Sequence, residues 1–423
     1  MLTQAPRGTK DILPSDAYKW QYVEKLFRDV CEKFGYKEIR TPGFEHTELF
    51  KRGVGETTDI VQKEMYSFKD NGGREITLKP EGTAPVVRAF IEHKLYADTQ
   101  PTKLYYITPC FRYERPQAGR LRAFHQFGVE VFGADNASID AEVIAIAMMF
   151  YRQLSITNLE LRINSIGCPE CRGKYNETLK TFLKSKLGHL CKTCQDRYER
   201  NPMRIIDCKV ESCKEELKDI PLMLDHICSD CKEHFERLKE SLELMGISYQ
   251  VDPTIVRGLD YYRRTAFEIV SYEIGSQSTV CGGGRYDGLV EALGGPAVPG
   301  VGFGMGIERL LLTLENNHIE IPRPKGLDIF IATLGEKAGR EATRLLYKLR
   351  MAGISGDKDH MNRSLKAQFK YADKLNASYT IVIGEDELEK DAVALKNMKT
   401  GDQVEIKLSN ILCELKDRLG KEE

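Results

Sequence analysis

The chain has 423 residues, 41% of them hydrophobic and 30% charged, a composition that excludes a disordered or fibrous class and leaves room for roughly two to four domains. Sixty-two lysines and arginines balance 63 acidic residues, so no global field recruits nucleic acid, and binding of that kind must rest on local basic patches. The opening "MLTQAPRGTKDILPSDAYKW" has no apolar run of signal-peptide length. Nothing later approaches the ~18 uninterrupted apolar residues of a membrane span, so the expected location is the cytoplasm, with no membrane partner.

Pro14-Ser15-Asp16 starts a helix that Tyr22, Val23, Leu26, Phe27, Val30 and Phe34 continue at helical spacing until Gly35 stops it. "KEIRTPGFEHTELF" reads as extended around Pro42, because proline removes a ladder donor. From "ITLKPEG" through "KLYYITPCFRYE" and "AFHQFGVEVFG" the texture is β, interrupted by a helix from about Thr83 to Leu95. The spacing predicts an antiparallel sheet there, then a second helix from roughly Ser138 to Leu154. Residues 168 to about 238 change character to paired cysteines and short amphipathic helices, the mark of an insertion. Strand texture returns in "YQVDPTIVRGLDYYRRTAFEIVSY", followed by "CGGGRYDGL" and by "VPGVGFGMGIERLLLTL", a strand running into a helix. After the linker-like "NNHIEIPRPKG", strands and helices alternate to the end, predicting an α/β unit with a mainly parallel sheet and a hairpin at Lys399-Thr400-Gly401.

Of twelve cysteines, eight fall between Cys168 and Cys231, a density that suits metal ligation better than disulfides in a reducing compartment. "CPEC" (Cys168, Cys171) and "CKTC" (Cys191, Cys194) are 19 residues apart, within the window for a tetrahedral zinc site. Cys208, Cys213, Cys228 and Cys231 could complete another, and the two sets could also interleave. The expected metal is structural zinc, since four thiolates leave no position open for catalysis. Cys31, Cys110, Cys281 and Cys413 are scattered and read as small buried apolar residues.

"CFRYERPQAGRLRAFHQFGVEVFG" sets Arg112, Arg115, Arg120 and Arg122 beside Glu114, a density of guanidinium that asks for an anionic ligand. The glycines at 302, 304 and 306 do not give a dinucleotide fingerprint, and "CGGGRYDGL" lacks the ending of a phosphate loop. Alternate glycines on a strand instead let a flat ligand or another backbone lie close. His125, alone on a strand, reads as structural.

Taken in order, the Arg-rich hairpin, "GFGMGIERLLL", the region around Pro42, "RGLDYYRRTAFEI" and "GGGRYDGL" resemble the signature motifs of class II aminoacyl-tRNA synthetases, specifically the histidyl-tRNA synthetases of bacterial type. The resemblance runs nearly end to end. It implies an α+β catalytic core on an antiparallel sheet, formed by residues 1–167 and 239–322, a helical Cys-rich insertion over 168–238, and an α/β anticodon-binding domain over 326–423. It also implies ATP with Mg²⁺, L-histidine and tRNA(His) as ligands, and a homodimer. The reaction would activate histidine as histidyl-adenylate and pass the histidyl group to the 3′ end of the tRNA, chemistry that needs fixed positive charge more than a covalent nucleophile.

The same resemblance places Arg112 and Arg257 on the α-phosphate as the catalytic cations, with Arg309 at the far end of the nucleotide and Arg120 also on ATP. Glu81, Thr83 and Gln126 would hold the amino group of histidine. Glu130, Tyr262 and Tyr286 would meet the imidazole, whose two nitrogens both need buried partners. Strand alternation would send Tyr261 and Tyr262 to opposite faces, which favours Tyr262 for the ligand, with Tyr261 kept in the same set. Gln117 and Arg122 in the hairpin loop, with Arg340, Arg344, Arg363, Lys366 and Lys370 in a segment holding ten basic against five acidic residues, are the candidates for tRNA contact. Zinc is not part of the family's general pattern. The competing reading is a non-catalytic, synthetase-like regulatory subunit of histidine biosynthesis, which typically lacks the anticodon domain.

Overall fold

The computed structural model describes residues 3–56, 58–272 and 279–421, and the chain divides into two compact units, Met1–Ile321 and Pro322–Glu423. In the first, α1 (Pro14–Lys33) begins with Pro14, whose fixed φ suits the first helical turn and whose missing N–H is unneeded there. It buries Val23, Phe27 and Val30, and the Phe27 ring stacks on Phe127 at 4.4 Å. Burying one such aromatic side chain contributes about 1.5–3 kcal/mol.

Next come β1 (Lys37–Glu38), β2 (Phe44–His46) and α2 (Thr47–Val54). The extended reading of "KEIRTPGFEHTELF" therefore holds only to His46. Phe50 and Val54, four residues apart, bury one helical face of α2, and local propensity gives way to that packing. β3 (Tyr66–Lys69) and β2 flank β4 (Glu75–Leu78) in a small antiparallel sheet. Then follow α3 (Thr83–Glu92), β5 (Thr102–Phe111), β6 (Ala123–Phe132), α4 (Ala137–Gln153) and β7 (Glu160–Ser165). The Asn136 side chain caps α4 by accepting from the Ser138 N–H at 2.9 Å.

The insertion comprises α5 (Pro169–Lys184), α6 (Lys192–Arg200), α7 (Glu211–Glu216) and α8 (Ser229–Leu244), so Leu238, its expected end, falls inside a continuous helix. Its cysteines gather as Cys168, Cys171, Cys228 and Cys231 in one group and Cys191, Cys194, Cys208 and Cys213 in the other. This corrects the simple reading that joins the first two pairs. The 16 residues of α5 carry the chain about 24 Å from its first cysteines at 1.5 Å per residue, and the start of α8 returns there instead.

β8 (Gln250–Val251), β9 (Arg263–Val270), β10 (Thr279–Arg285), α9 (Leu289–Ala292), β11 (Gly300–Gly306) and α10 (Ile307–Asn316) complete the unit. Residues 252–262, expected to be strand, are not. The eight-stranded sheet runs β1-β5-β6-β11-β10-β9-β7-β8, antiparallel except for its two-residue edge strands. Phe127, Val129 and Val131 of β6 and Val301, Phe303 and Met305 of β11 join the core formed with α1 and α4. Their alternate neighbours face the opposite side, as the two-residue period of a strand requires.

A buried ion pair ties these layers together. Asp140 of α4 accepts from Arg285 of β10, from Thr265 of β9 at 2.6 Å and from His234 of α8 at 2.8 Å. Both charges are fully buried, and Arg285 also donates to the Ala134 carbonyl at 3.0 Å. Burial opposes the charge on Asp140, but Arg285 and His234 hold its pKa below the usual carboxylate range.

In the second unit β12 (Ile329–Thr333), α11 (Glu336–Met351), β13 (Gly356–Lys358), α12 (Leu365–Lys374), β14 (Tyr379–Ile383), α13 (Glu385–Lys390), β15 (Ala392–Asn397), β16 (Gln403–Lys407) and α14 (Ile411–Leu419) form a five-stranded sheet with flanking helices. Its order is β13-β12-β14-β15-β16, with β12 parallel to both neighbours and the last pair an antiparallel hairpin. Asp328 anchors it by accepting from Lys325 at 2.9 Å, Lys421 at 2.7 Å and the Ser355 N–H at 2.9 Å. Of the four scattered cysteines, Cys31, Cys110 and Cys281 are buried, but Cys413 on α14 is exposed. Its side falls outside the α14 face that buries Ile411 and Leu415.

Candidate active site

One cavity of about 280 Å³ opens on the face of the large sheet away from α1 and α4. Its floor follows from strand register. Tyr106 of β5, Gly128 of β6, Gly304 of β11, Gly282 of β10 and Glu268 of β9 are successive cross-strand partners. Three glycines in a row therefore separate a tyrosine from a glutamate. The glycines make room in different ways. A Cβ on Gly128 or Gly82 would collide with the Tyr106 ring, and one on Gly282 would lie 2.5 Å from Nη2 of Arg257. A Cβ on Gly304 meets nothing nearer than Gln126 at 3.6 Å, so that part of the floor is open.

Four guanidiniums line this cavity, from Arg112, Arg120, Arg257 and Arg309. Arg112 donates from Nε to the Pro80 carbonyl at 2.7 Å and lies over the Phe124 ring, 5.3 Å from its centroid. Glu114, buried between the arginines, pairs with Arg120 and stands 3.8 Å from Arg112. Arg309, on the first turn of α10, reaches across to the carbonyls of Gly119 at 3.3 Å and Thr279 at 2.7 Å. Burial draws the Arg309 pKa down, and the nearby charge of Arg120 adds to that. Like charges held this close would be relieved by an anion among them. Arg257 donates to Glu268 at 2.6 Å and its guanidinium lies 5.2 Å from the Tyr262 ring centroid. Its buried Nε has no hydrogen-bond partner among the described residues. Glu268 also accepts from Thr279 at 2.9 Å and so fixes the arginine from the neighbouring strands.

Glu81, Thr83, Gln126, Tyr261 and Tyr262 line the same cavity. Glu81 accepts the N–H groups of Thr83 at 2.7 Å and Ala84 at 2.8 Å, satisfying the first turn of α3, while burial raises its pKa. Tyr261 and Tyr262 both reach the cavity, which corrects the alternation argument. They precede β9, outside the pleat that would have sent them to opposite faces, and their rings lie 4.6 Å apart.

Glu130 and Tyr286 are not part of the lining but lie buried just beneath it. Glu130 accepts from Thr83 at 2.8 Å, from Tyr106 at 3.2 Å and from Tyr286. Burial pushes its pKa up to about 8, against the pull of those hydroxyls. It touches the cavity through Thr83 and Tyr106 rather than directly. Burial likewise raises the phenol pKa of Tyr106, Tyr261, Tyr262 and Tyr286, keeping them protonated and able to donate.

The hairpin's other candidates stand apart from the cavity. Arg115 and Gln117 are exposed, the latter in the turn that pairs with Arg120. Arg122 is stacked 3.9 Å from the Tyr113 ring centroid and donates to the Glu114 carbonyl. His125 bridges to Glu308 at 3.1 Å and packs edge-on against Trp20, a structural setting. In the second unit, Arg340 and Arg344 pair with Glu336 and Glu341 of their own helix, and Arg363 with Asp359 at 3.0 Å, while Lys366 and Lys370 are exposed on α12. Tyr106, Glu114, Thr279, Glu268 and Glu308 were missed by sequence reasoning. Glu114 had a local signal in its place among the arginines, and Glu268 and Glu308 lie inside quoted motifs; Tyr106 and Thr279 had none.

Comparison with known proteins places this architecture. A family model described as Histidyl-tRNA synthetase matches residues 8–310, and one described as Anticodon binding domain matches residues 328–418. The chain is 65% identical to a protein of Clostridioides difficile strain 630 named Histidine--tRNA ligase, over 99% of this chain and all of that one. It is 66% identical to a protein of the same name from Caldanaerobacter subterraneus subsp. tengcongensis, over 97% and 99% of the two chains. Among solved structures, apo histidyl-tRNA synthetase of S. aureus superposes with a TM-score of 0.84 at 44% identity, covering 98% of this chain and 99% of that one.

Proposed function

The chain belongs to the histidyl-tRNA synthetase family, and from that premise we propose that it activates L-histidine with ATP and charges tRNA(His) at this cavity. The observation that carries the reading is the convergence of four guanidiniums on a glycine floor that also presents Glu81, Thr83 and Gln126. A histidine carboxylate oxygen attacks the α-phosphorus of ATP, the bond to the β-phosphate oxygen breaks, and pyrophosphate leaves. The terminal ribose hydroxyl of the tRNA then attacks the carbonyl of the mixed anhydride, and AMP departs.

Arg112 and Arg257 hold the α-phosphate and carboxylate from two sides, which neutralises the approach of an anion to a polyanion. The planar, permanently charged guanidinium can fork onto phosphate oxygens, which a lysine ammonium cannot do. Arg309 and Arg120 take the rest of the nucleotide. Glu81, Thr83 and Gln126 receive the ammonium group, and the protonated Tyr262 and Tyr261 hydroxyls lie toward the imidazole. Glu130 and Tyr286 orient this pocket from below through Thr83 and Tyr106. Of the lining carboxylates, Glu114 and Glu308 are already engaged by Arg120 and His125. Mg²⁺ therefore fits as an ion carried in on the ATP phosphates with most of its waters, where it supplies further positive charge.

The second unit serves as the anticodon-binding domain. Lys366, Lys370 and Arg363 on and before α12, with Arg340 and Arg344 on α11, contact the RNA backbone, the last two by exchanging a carboxylate for a phosphate. Gln117 and Arg122 face the acceptor end. The protein works in the cytoplasm as a homodimer, which sedimentation would test. Among the described residues no helix is long and apolar enough to cross a membrane. The deciding experiment is ATP–pyrophosphate exchange run with every amino acid. Exchange with histidine alone is expected, whereas folded protein giving none would favour the regulatory-subunit reading.

A further inference from the structure

We propose that the insertion holds two structural zinc ions in nested tetrathiolate sites and that these brace the Arg257–Tyr262 segment of the active site. In each group of four cysteines, all sulfurs lie within 4.8 Å of one another. Cys168 and Cys171 stand 3.4 Å apart, Cys191 and Cys208 3.9 Å. Tetrahedral Zn–S bonds of about 2.3 Å place sulfurs about 3.8 Å apart, so both groups need only small adjustments to close on an ion. All twelve cysteines are free thiols. Two sulfurs already accept backbone N–H groups, Cys171 from Cys228 at 3.0 Å and Cys213 from Cys191 at 3.1 Å. Such donors stabilise thiolates and orient ligands from outside the metal's own shell. Cys168, Cys191 and Cys228 each stand at the N-cap of a helix, where the dipole favours the same charge.

Each site leads directly to the catalytic segment. Arg172, next to Cys171, donates to the carbonyls of Tyr262 at 3.0 Å and Asp260 at 3.4 Å. From the second group, α6 runs to Asn201, which donates to the Asp260 carboxylate at 2.8 Å, and to Arg204, which donates to the Gly258 carbonyl at 2.9 Å. Residues 257–262 lie outside any strand, so their shape depends on such outside contacts. The metals would act as positioning elements for Arg257 and Tyr262. This second half rests on the proposed histidine-activating function; the metal sites themselves do not.

Protein purified under reducing conditions without added zinc should contain two equivalents by elemental analysis. Its eight insertion thiols should stay unreactive until metal is stripped, and Co²⁺ exchange should give the visible spectrum of tetrahedral cobalt thiolate. Less than two equivalents with freely titrating thiols, or disulfides by mass spectrometry, would overturn the sites. For the brace, Arg172→Ala should raise KM for histidine about tenfold with kcat little changed and metal content intact, and Arg172→Lys should restore part of the loss. An unchanged KM would overturn it. Wild-type protein with two zinc ions and no exchange activity would instead count against the proposed function alone.

Discussion

Gly304→Ala tests whether the glycine floor is where the ligands lie. The new methyl would stand beside Gln126 at 3.6 Å, an ordinary contact, and Gly304 does not use a left-handed backbone conformation. The folded protein should therefore keep its stability to within about 1 kcal/mol, since alanine in a strand is no worse than glycine. The cavity floor rises by one methyl group. Overpacking of that kind costs about 1–3 kcal/mol, which converts to a roughly 5- to 150-fold rise in KM for histidine or ATP. Gly302→Ala is the contrast, because its Cβ would collide with the Glu130 carboxylate and the Val129 carbonyl, and it should lose stability as well as activity. Pyrophosphate exchange for KM and urea unfolding for stability separate the two. Exchange by Gly304→Ala within about twofold of wild type would refute the placement of ligand over this row.

Arg257→Ala should lower exchange by at least about 10²-fold, as loss of a preorganised charge does, while filter binding shows tRNA affinity retained; near-normal exchange would show its role to be misassigned. Asp140→Ala should cost about 3–5 kcal/mol in urea unfolding, because buried Arg285 loses its fully buried partner and keeps only the half-buried Asp287, while His234 and Thr265 lose their acceptor. Asp328, held well below the usual carboxylate range although burial opposes its charge, contributes stability that is complete above its unfolded pKa and fades as pH falls toward the folded one. Protection of the β12 amides, relative to their intrinsic exchange rate, should accordingly fall below about pH 4 in wild type, and Asp328→Asn should already have less protection at neutral pH and lack that acid-dependent step. Affinity for tRNA should fall steeply with salt, and Lys366→Ala with Lys370→Ala should flatten the slope by about one to two units.

Much of the site was legible because its members carry local signals. Arg112, Arg120, Arg257 and Arg309 sit in recognisable motifs and do converge on one cavity with Glu81, Thr83, Gln126, Tyr261 and Tyr262. Tyr106 carried no local signal, and Glu268, although inside a quoted motif, showed no partner, since each matters through cross-strand register, Tyr106 opposite Gly128 and Glu268 opposite Gly282, which no local window contains. The alternation applied to Tyr261 and Tyr262 failed because the strand starts only at Arg263. Glu130 and Tyr286 were read as ligands because a sequence shows chemistry but not depth, and in the structure they lie buried just beneath the cavity lining. The helix over Thr47–Val54 was hidden by proline and glycine just before it, and the cysteine grouping by the length of a helix that spacing rules treat as slack.

The nested cysteine grouping makes the insertion a loop within a loop. The outer closure joins residues 57 apart along the chain and the inner one residues 22 apart. Closing the inner loop first shortens the outer one and spares only about 0.4 kcal/mol of closure entropy, so nesting adds little to stability. Its larger consequence is modular. With Cys168 and Cys171 held against Cys228 and Cys231, β7 and α8 meet at a pinched neck. Beyond that neck only the stretch that reaches Asp260 and Gly258 through Asn201 and Arg204 is tied to the catalytic segment, so the rest of the insertion can vary in length and content without disturbing strand register in the core.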